Sequence, residues 1–175
     1  MTAVDSHPTL LNGCAQAATA AEARYRIQAP IAGVRASRII ALDARAADIL
    51  RRVAELPWTG DAHFLTYESS TSVNGLEVSP LDAALRTADG EDTLLSAELD
   101  RADVAVMVAT NDDGEQAAEI IGQACFMRGI MTAGLVVADG GMADRAVAAL
   151  RPDAMVLVVT RDEGDVPDML TALRV

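Results

Sequence analysis

DVAVMVAT (103–110), IMTAGLVVA (130–138) and AMVLVVT (154–160) are unbroken apolar runs of strand length. EQAAEIIGQACFMR (115–128) and MADRAVAALR (142–151) lie between them. A strand with no polar alternation suits a parallel sheet, where both faces are covered. Strands separated by amphipathic helices are the pattern of right-handed βαβ units.

The alternation extends in both directions. Upstream, RIIAL (38–42) reads as a strand. ARAADILRRVAEL (44–56) places Ala46, Ile49, Leu50, Val53 and Leu56 at helical spacing and stops at Pro57. AHFLTY (62–67) reads as the second strand. Downstream, VPDMLTALR (166–174) closes the chain as a helix, with Pro167 in its first turn, where the missing N–H costs nothing. Residues 68–80 are rich in Ser, Thr, Asn and Gly and read as the longest loop. LDAALRT (81–87) suggests a short helical turn, and EDTLLSAELDRA (91–102) a helix with an acidic first turn. The expected fold is α/β, a Rossmann-like three-layer domain over 37–175. Its parallel sheet is expected to have about five strands in the order 2-1-3-4-5. Residues 1–12 read as a flexible tail. Residues 13–36 read as an N-terminal helix and a connector broken by Pro30 and Gly33.

Composition limits the chemistry. Of the 175 residues, 51% are hydrophobic but only 3% aromatic, so the core is aliphatic and a disordered chain is excluded. Net charge is −12 and every basic residue is arginine. Without lysine there is no P-loop lysine, Schiff base or lysine general base. The acidic balance argues against nucleic acid as a partner. No apolar run approaches the roughly 20 residues that cross a membrane. The N-terminus carries no basic n-region, so a cytoplasmic protein is expected. Cys14 and Cys125 show no metal spacing, and His7 and His63 are far apart, which leaves zinc improbable. Cys125 falls on the stripe of Ala118 and Ile121 and is expected to be buried and inert. His63, within a strand, is expected to be structural.

In an open parallel sheet, ligands collect at the carboxyl ends of the strands where the chain order reverses. That rule selects Asp43, Ala44 and Arg45 after the first strand, and Thr110, Asn111, Asp112, Asp113 and Gly114 after the third. Asp139, Gly140 and Gly141 after the fourth, and Arg161, Asp162 and Glu163 after the fifth, share that edge. Asp112 and Asp113 beside an asparagine can hold a hard cation such as Mg²⁺ through oxygen ligands. Helix capping accounts for the same residue types, with Glu115 favoured by the helix dipole. Three carboxylates at one helix start also oppose a phosphate there. Asp139-Gly140-Gly141 offers either a backbone anion cradle or a tight turn. A local ion pair among Arg161, Asp162 and Glu163 is expected. Ser and Thr at 69–72 have no histidine–carboxylate pair that spacing places nearby.

Residues 102–137 are similar to the nucleotide-binding domain of bacterial tubulin-type (FtsZ-type) cell-division GTPases. Ala102-Asp103 opens a hydrophobic strand, and Gly129-Ile130-Met131-Thr132-Ala133-Gly134-Leu135-Val136-Val137 follows the family's GI-x-T-x-G-V-V pattern. RIIALDARAADILRRVAEL and AHFLTY sit where that family has its first strand, loop, helix and second strand. The departures fall on the phosphate loops. Where the family has GGGTGTG, this chain has Asn111-Asp112-Asp113-Gly114-Glu115, and Asp43-Ala44-Arg45-Ala46-Ala47 replaces its first glycine run. The remaining residues leave no room for the family's C-terminal activation domain. The resemblance therefore implies a relative without GTP chemistry, and a bound nucleotide phosphate is not expected.

The expected function is that of a non-enzymatic module, a homo-oligomer or an accessory to a protein partner. The mean hydropathy of +0.21 fits apolar surface left for association. The alternative is a small-molecule or divalent-metal-dependent enzyme using the loops at 43–45 and 110–115.

Overall fold

The computed structural model describes residues 35–58, 60–69, 72–73, 76–77, 82–138 and 143–175. The tail expected over 1–12 and nearly all of the helix and connector expected over 13–36 lie outside these residues. In chain order the elements are β1 (Ser37–Ala41), α1 (Ala44–Ala54), β2 (Ala62–Glu68), β3 (Ser72–Val73), β4 (Leu76–Glu77), β5 (Ala84–Thr87) and β6 (Asp92–Leu94). They continue with α2 (Leu95–Leu99), β7 (Val104–Ala109), a 3₁₀ turn (Asp112–Gly114), α3 (Glu115–Arg128), β8 (Met131–Val137), α4 (Asp144–Leu150), β9 (Val156–Thr160) and α5 (Asp165–Ala172).

The main sheet runs β6-β5-β2-β1-β7-β8-β9. Five of its strands, β2-β1-β7-β8-β9, are parallel and keep the sequence-based order. The sheet nevertheless has seven strands, not about five, and its full order differs accordingly. β5 and β6 are added antiparallel outside β2. Ala84–Thr87 of LDAALRT is therefore strand rather than helical turn, and EDTLLSAELDRA contributes β6 before its helix begins at Leu95. The loop at 68–80 contains the two-residue strands β3 and β4, which pair as a hairpin.

Continuous apolar runs become central strands because every residue in them is covered. β1 and β7 are buried at all positions. One face packs Ile40, Leu65, Leu85 and Met107 against α2, α3 and α4 through Leu95, Leu99, Ile121 and Leu150. The other packs Ile39, Phe64, Val106 and Leu135 against α1 and α5 through Ile49, Leu50, Val166 and Leu170. These are the three layers. α3 stops where Gly129 adopts a left-handed conformation (φ 69°), its N–H donating to the carbonyls of Cys125 and Phe126. No helix among the described residues is long and apolar enough to cross a membrane.

Candidate functional site

α1 leaves the carboxyl end of β1 toward one face of the sheet, and α3 leaves the adjacent β7 toward the other. This divergence is the crevice where open α/β sheets take their ligands. Here its walls are tied together. Asp43 is the N-cap of α1 and accepts from Ala46 N–H at 2.9 Å. The same carboxylate accepts from Thr110 N–H at 2.6 Å and from Thr110 Oγ1 at 2.7 Å. Asp43 is 8% exposed and Thr110 3%. One side chain thus caps a helix on one face and anchors the loop that starts the helix on the other.

The packing below this staple is equally close. Gly114 is buried, and a Cβ built on it would lie 2.7 Å from the Leu42 Cβ. A glycine here lets the β7–α3 loop rest on the β1–α1 loop. In a phosphate loop, glycine instead lets the backbone approach a ligand.

Within 111–115, Asn111, Asp112 and Glu115 use their side chains on the chain itself, whereas Asp113 lines the open cleft described below. Asn111 caps the 3₁₀ turn by accepting from Asp113 N–H at 2.8 Å. Asp112 points across to α4, accepting from Arg145 N–H at 2.8 Å and Ala146 N–H at 3.2 Å. Its other oxygen meets Arg145 Nε at 3.3 Å, and Glu115 pairs with the same guanidinium at 3.4 Å. Desolvation raises the Asp112 pKa. The Ala146 and Arg145 N–H groups and the Arg145 guanidinium outweigh it and hold the carboxyl below its ordinary value. The Mg²⁺ expectation for Asp112 and Asp113 thus meets a carboxylate already filled by N–H donors. Among the described residues no group of three or more His, Cys, Asp or Glu side chains is arranged to hold a metal ion.

Arg45 does not face the crevice. With Arg52 it holds Glu163, at 3.0 and 2.6 Å, joining α1 to the loop before α5. The local ion pair expected among Arg161, Asp162 and Glu163 is therefore corrected. Glu163 is taken by α1, Asp162 accepts from Gly164 N–H at 2.8 Å, and Arg161 has no ion-pair partner among the described residues. Asp139, Gly140 and Gly141 lie outside the described residues. The structure thus joins Asp43 to Thr110, packs Gly114 on Leu42, turns Asp112 toward α4, and sends Arg45 to the loop before α5.

An open space lies beside the crevice. A cleft of about 560 Å³ runs between α1 and the β2–β5 strands, lined by Asp43, Thr66, Tyr67 and Asp113, and by two ion pairs. Arg51 pairs with Asp48 at 2.8 Å, and Arg86 with Glu68 at 3.1 Å. Sequence reasoning missed this cleft because its far wall, β5, reads as helix. Ser69 lines it, while Ser70 and Thr71 lie outside the described residues.

A second cluster missed from sequence sits at the amino edge of the sheet. Arg38 is 2% exposed, and its Nε donates to the Glu98 carbonyl at 3.0 Å. Its guanidinium also pairs with the carboxylates of Glu98 at 3.1 Å and Asp61 at 3.4 Å. His63 bridges the same two carboxylates, 2.8 Å from Glu98 and 3.1 Å from Asp61. Cys125 is fully buried on α3, and burial raises its thiol pKa to about 12.

Compared with known proteins, the chain matches no family model and no curated sequence, so the likeness to tubulin-type GTPases gains no support there.

Proposed function

We propose that this chain is a non-enzymatic Rossmann-like module that acts by associating with protein, either its own copies or a partner. The observation that carries this reading is the Asp43–Thr110 staple, which fills the fold's customary ligand crevice with the chain's own hydrogen bonds. Gly114 packed on Leu42 adds to it. Among the described residues, moreover, every buried side-chain nitrogen and oxygen has a hydrogen-bond partner. A preformed polar site ordinarily keeps a few convergent groups for its ligand.

The cleft between α1 and β2–β5 favours a second reading, a small-molecule site at the carboxyl edge. A melting-temperature screen of nucleotides with Mg²⁺, divalent cations alone and small polar metabolites separates the two. The module reading expects no shift. A ligand at a hundredfold its Kd adds about 2.7 kcal/mol to stability, and such a gain, lost in Arg51→Ala but kept in a distant surface variant, would establish the second reading.

A further inference from the structure

Among the described residues the sulfur atoms fall into two groups. Met107 of β7 and Cys125 of α3 are fully buried, and Met169 of α5 is half-buried against the core. Met127, by contrast, is 73% exposed, Met155 74% and Met131 38%. These three are not scattered. Met127 lies in the last turn of α3, and only Arg128, Gly129 and Ile130 separate it from Met131, the first residue of β8. Met155 joins them from the neighbouring strand, its N–H donating to the carbonyl of Thr132 at 2.9 Å just before β9 begins. All three therefore stand at the amino end of β8. A methionine gains little from burial at such positions, but it brings a sulfur lone pair that needs no deprotonation to react. Where a cysteine depends on its thiolate, a thioether depends on access alone.

We infer that this corner is a site of oxidative modification, where a peroxide converts Met127, Met155 and, more slowly, Met131 to methionine sulfoxide. With hydrogen peroxide the step is balanced. A sulfur lone pair attacks one peroxide oxygen, and the S–O bond forms as the O–O bond breaks. The sulfur loses two electrons, and the second oxygen leaves as water with both protons. A sulfoxide reductase reverses the change with two thiols, which become a disulfide as the oxygen leaves as water. The product is polar and chiral where the thioether was apolar, a change that disrupts a core. At Met127 and Met155 the new oxygen is solvated instead, because those side chains are mostly exposed. Met107, in a strand held between β1 and β8, is reached only when the sheet opens. The corner thus turns from apolar to polar while the domain stays folded. This inference goes beyond the module reading and does not depend on it.

Timed treatment of the full chain with hydrogen peroxide, followed by peptide mapping in a mass spectrometer, tests this. In the folded protein Met127 and Met155 should oxidise roughly tenfold or more faster than Met107, with Met131 between, whereas in urea all four should react alike. Once the corner has reacted and Met107 has not, the melting temperature should be unchanged. Elution from a hydrophobic-interaction column should then come earlier, and a methionine sulfoxide reductase with a thiol should restore it. The double variant Met127→Leu, Met155→Leu should lose most of that elution shift. Native Met107 oxidised as fast as Met127 would overturn the inference. So would a melting temperature that falls when only the corner is oxidised, or an elution shift that the double variant keeps in full. Should the variant fail to fold, the peptide kinetics of the wild type decide the matter alone.

Discussion

Replacing Asp43 with alanine removes three hydrogen bonds at once, and their sizes can be worked from the geometry. Loss of the N-cap bond to Ala46 N–H costs about 1 kcal/mol. The Thr110 N–H, in a residue 3% exposed, loses its acceptor, and a buried unsatisfied donor costs about 1–3 kcal/mol. The sum is about 2–4 kcal/mol, a large share of the ~5–15 kcal/mol that holds a domain of this kind together. For a chain of this length each kcal/mol moves the melting temperature by about 2–4 °C, so a fall of about 4–16 °C is expected. Asp43→Asn should fall between alanine and wild type. Its oxygen can keep the partners of Oδ1, while its amide N–H₂ confronts the Thr110 N–H that Oδ2 had accepted. Urea unfolding followed by circular dichroism, with calorimetry, measures both variants. If Asp43→Ala lies within ~0.5 kcal/mol of wild type, Asp43 is not a staple. If the variant is more stable, Asp43 is a strained group held for a ligand, and the account of a crevice closed from within is wrong.

The same geometry yields further expectations. Gly114→Ala should cost about 1–3 kcal/mol in denaturant titration through overpacking, because the new methyl lands on the Leu42 Cβ; a neutral result would mean that the two loops are not in firm contact. Asp112 is held below its ordinary pKa in the folded state, so its stabilising contribution is full above the usual carboxylate range and is lost as pH falls through the folded value. The melting temperatures of wild type and Asp112→Asn should therefore differ at neutral pH and converge in acid; a gap independent of pH would contradict the Arg145 and Ala146 contacts. Cys125, with its thiol pKa pushed up to about 12, should resist alkylation at pH 8 in the native protein and react on unfolding, as peptide mapping would show; rapid native labelling would refute its burial.

The centre of the parallel sheet is legible in sequence because β7 and β8 are long and covered on both faces, so VAVMVA and MTAGLVV cannot be read as anything with a polar side. β5 and β6 are not legible for the opposite reason. Four residues of ALRT and three of DTL are too few to show a period, and Leu81, Ala84 and Leu85 happen to fall at helical spacing. Pairing of β5 with β2, and of β6 with β5, decided their state. At the crevice, the residue types announced capping, and Asp43 and Asn111 do cap. Asp112 does so for a helix that begins 32 residues further on, at Asp144, which no local pattern encodes. Glu163 likewise finds Arg45 and Arg52 rather than its neighbour Arg161. Arg38 opens the apolar run of the first strand, which carries it into the protein, where Asp61 and Glu98 meet it; residues so far apart in sequence give no local sign of that pairing.

The unequal edges of the sheet also set a ceiling on assembly. A molecule able to accept a strand on both sides can propagate without limit, as fibrils do. With β6 short and its aspartate tied to Arg86, the main sheet of the described residues offers a further strand its β9 edge rather than its β6 edge. Were two β9 strands to join, both receptive borders of the main sheet would be used up, and growth by that route would stop at a pair.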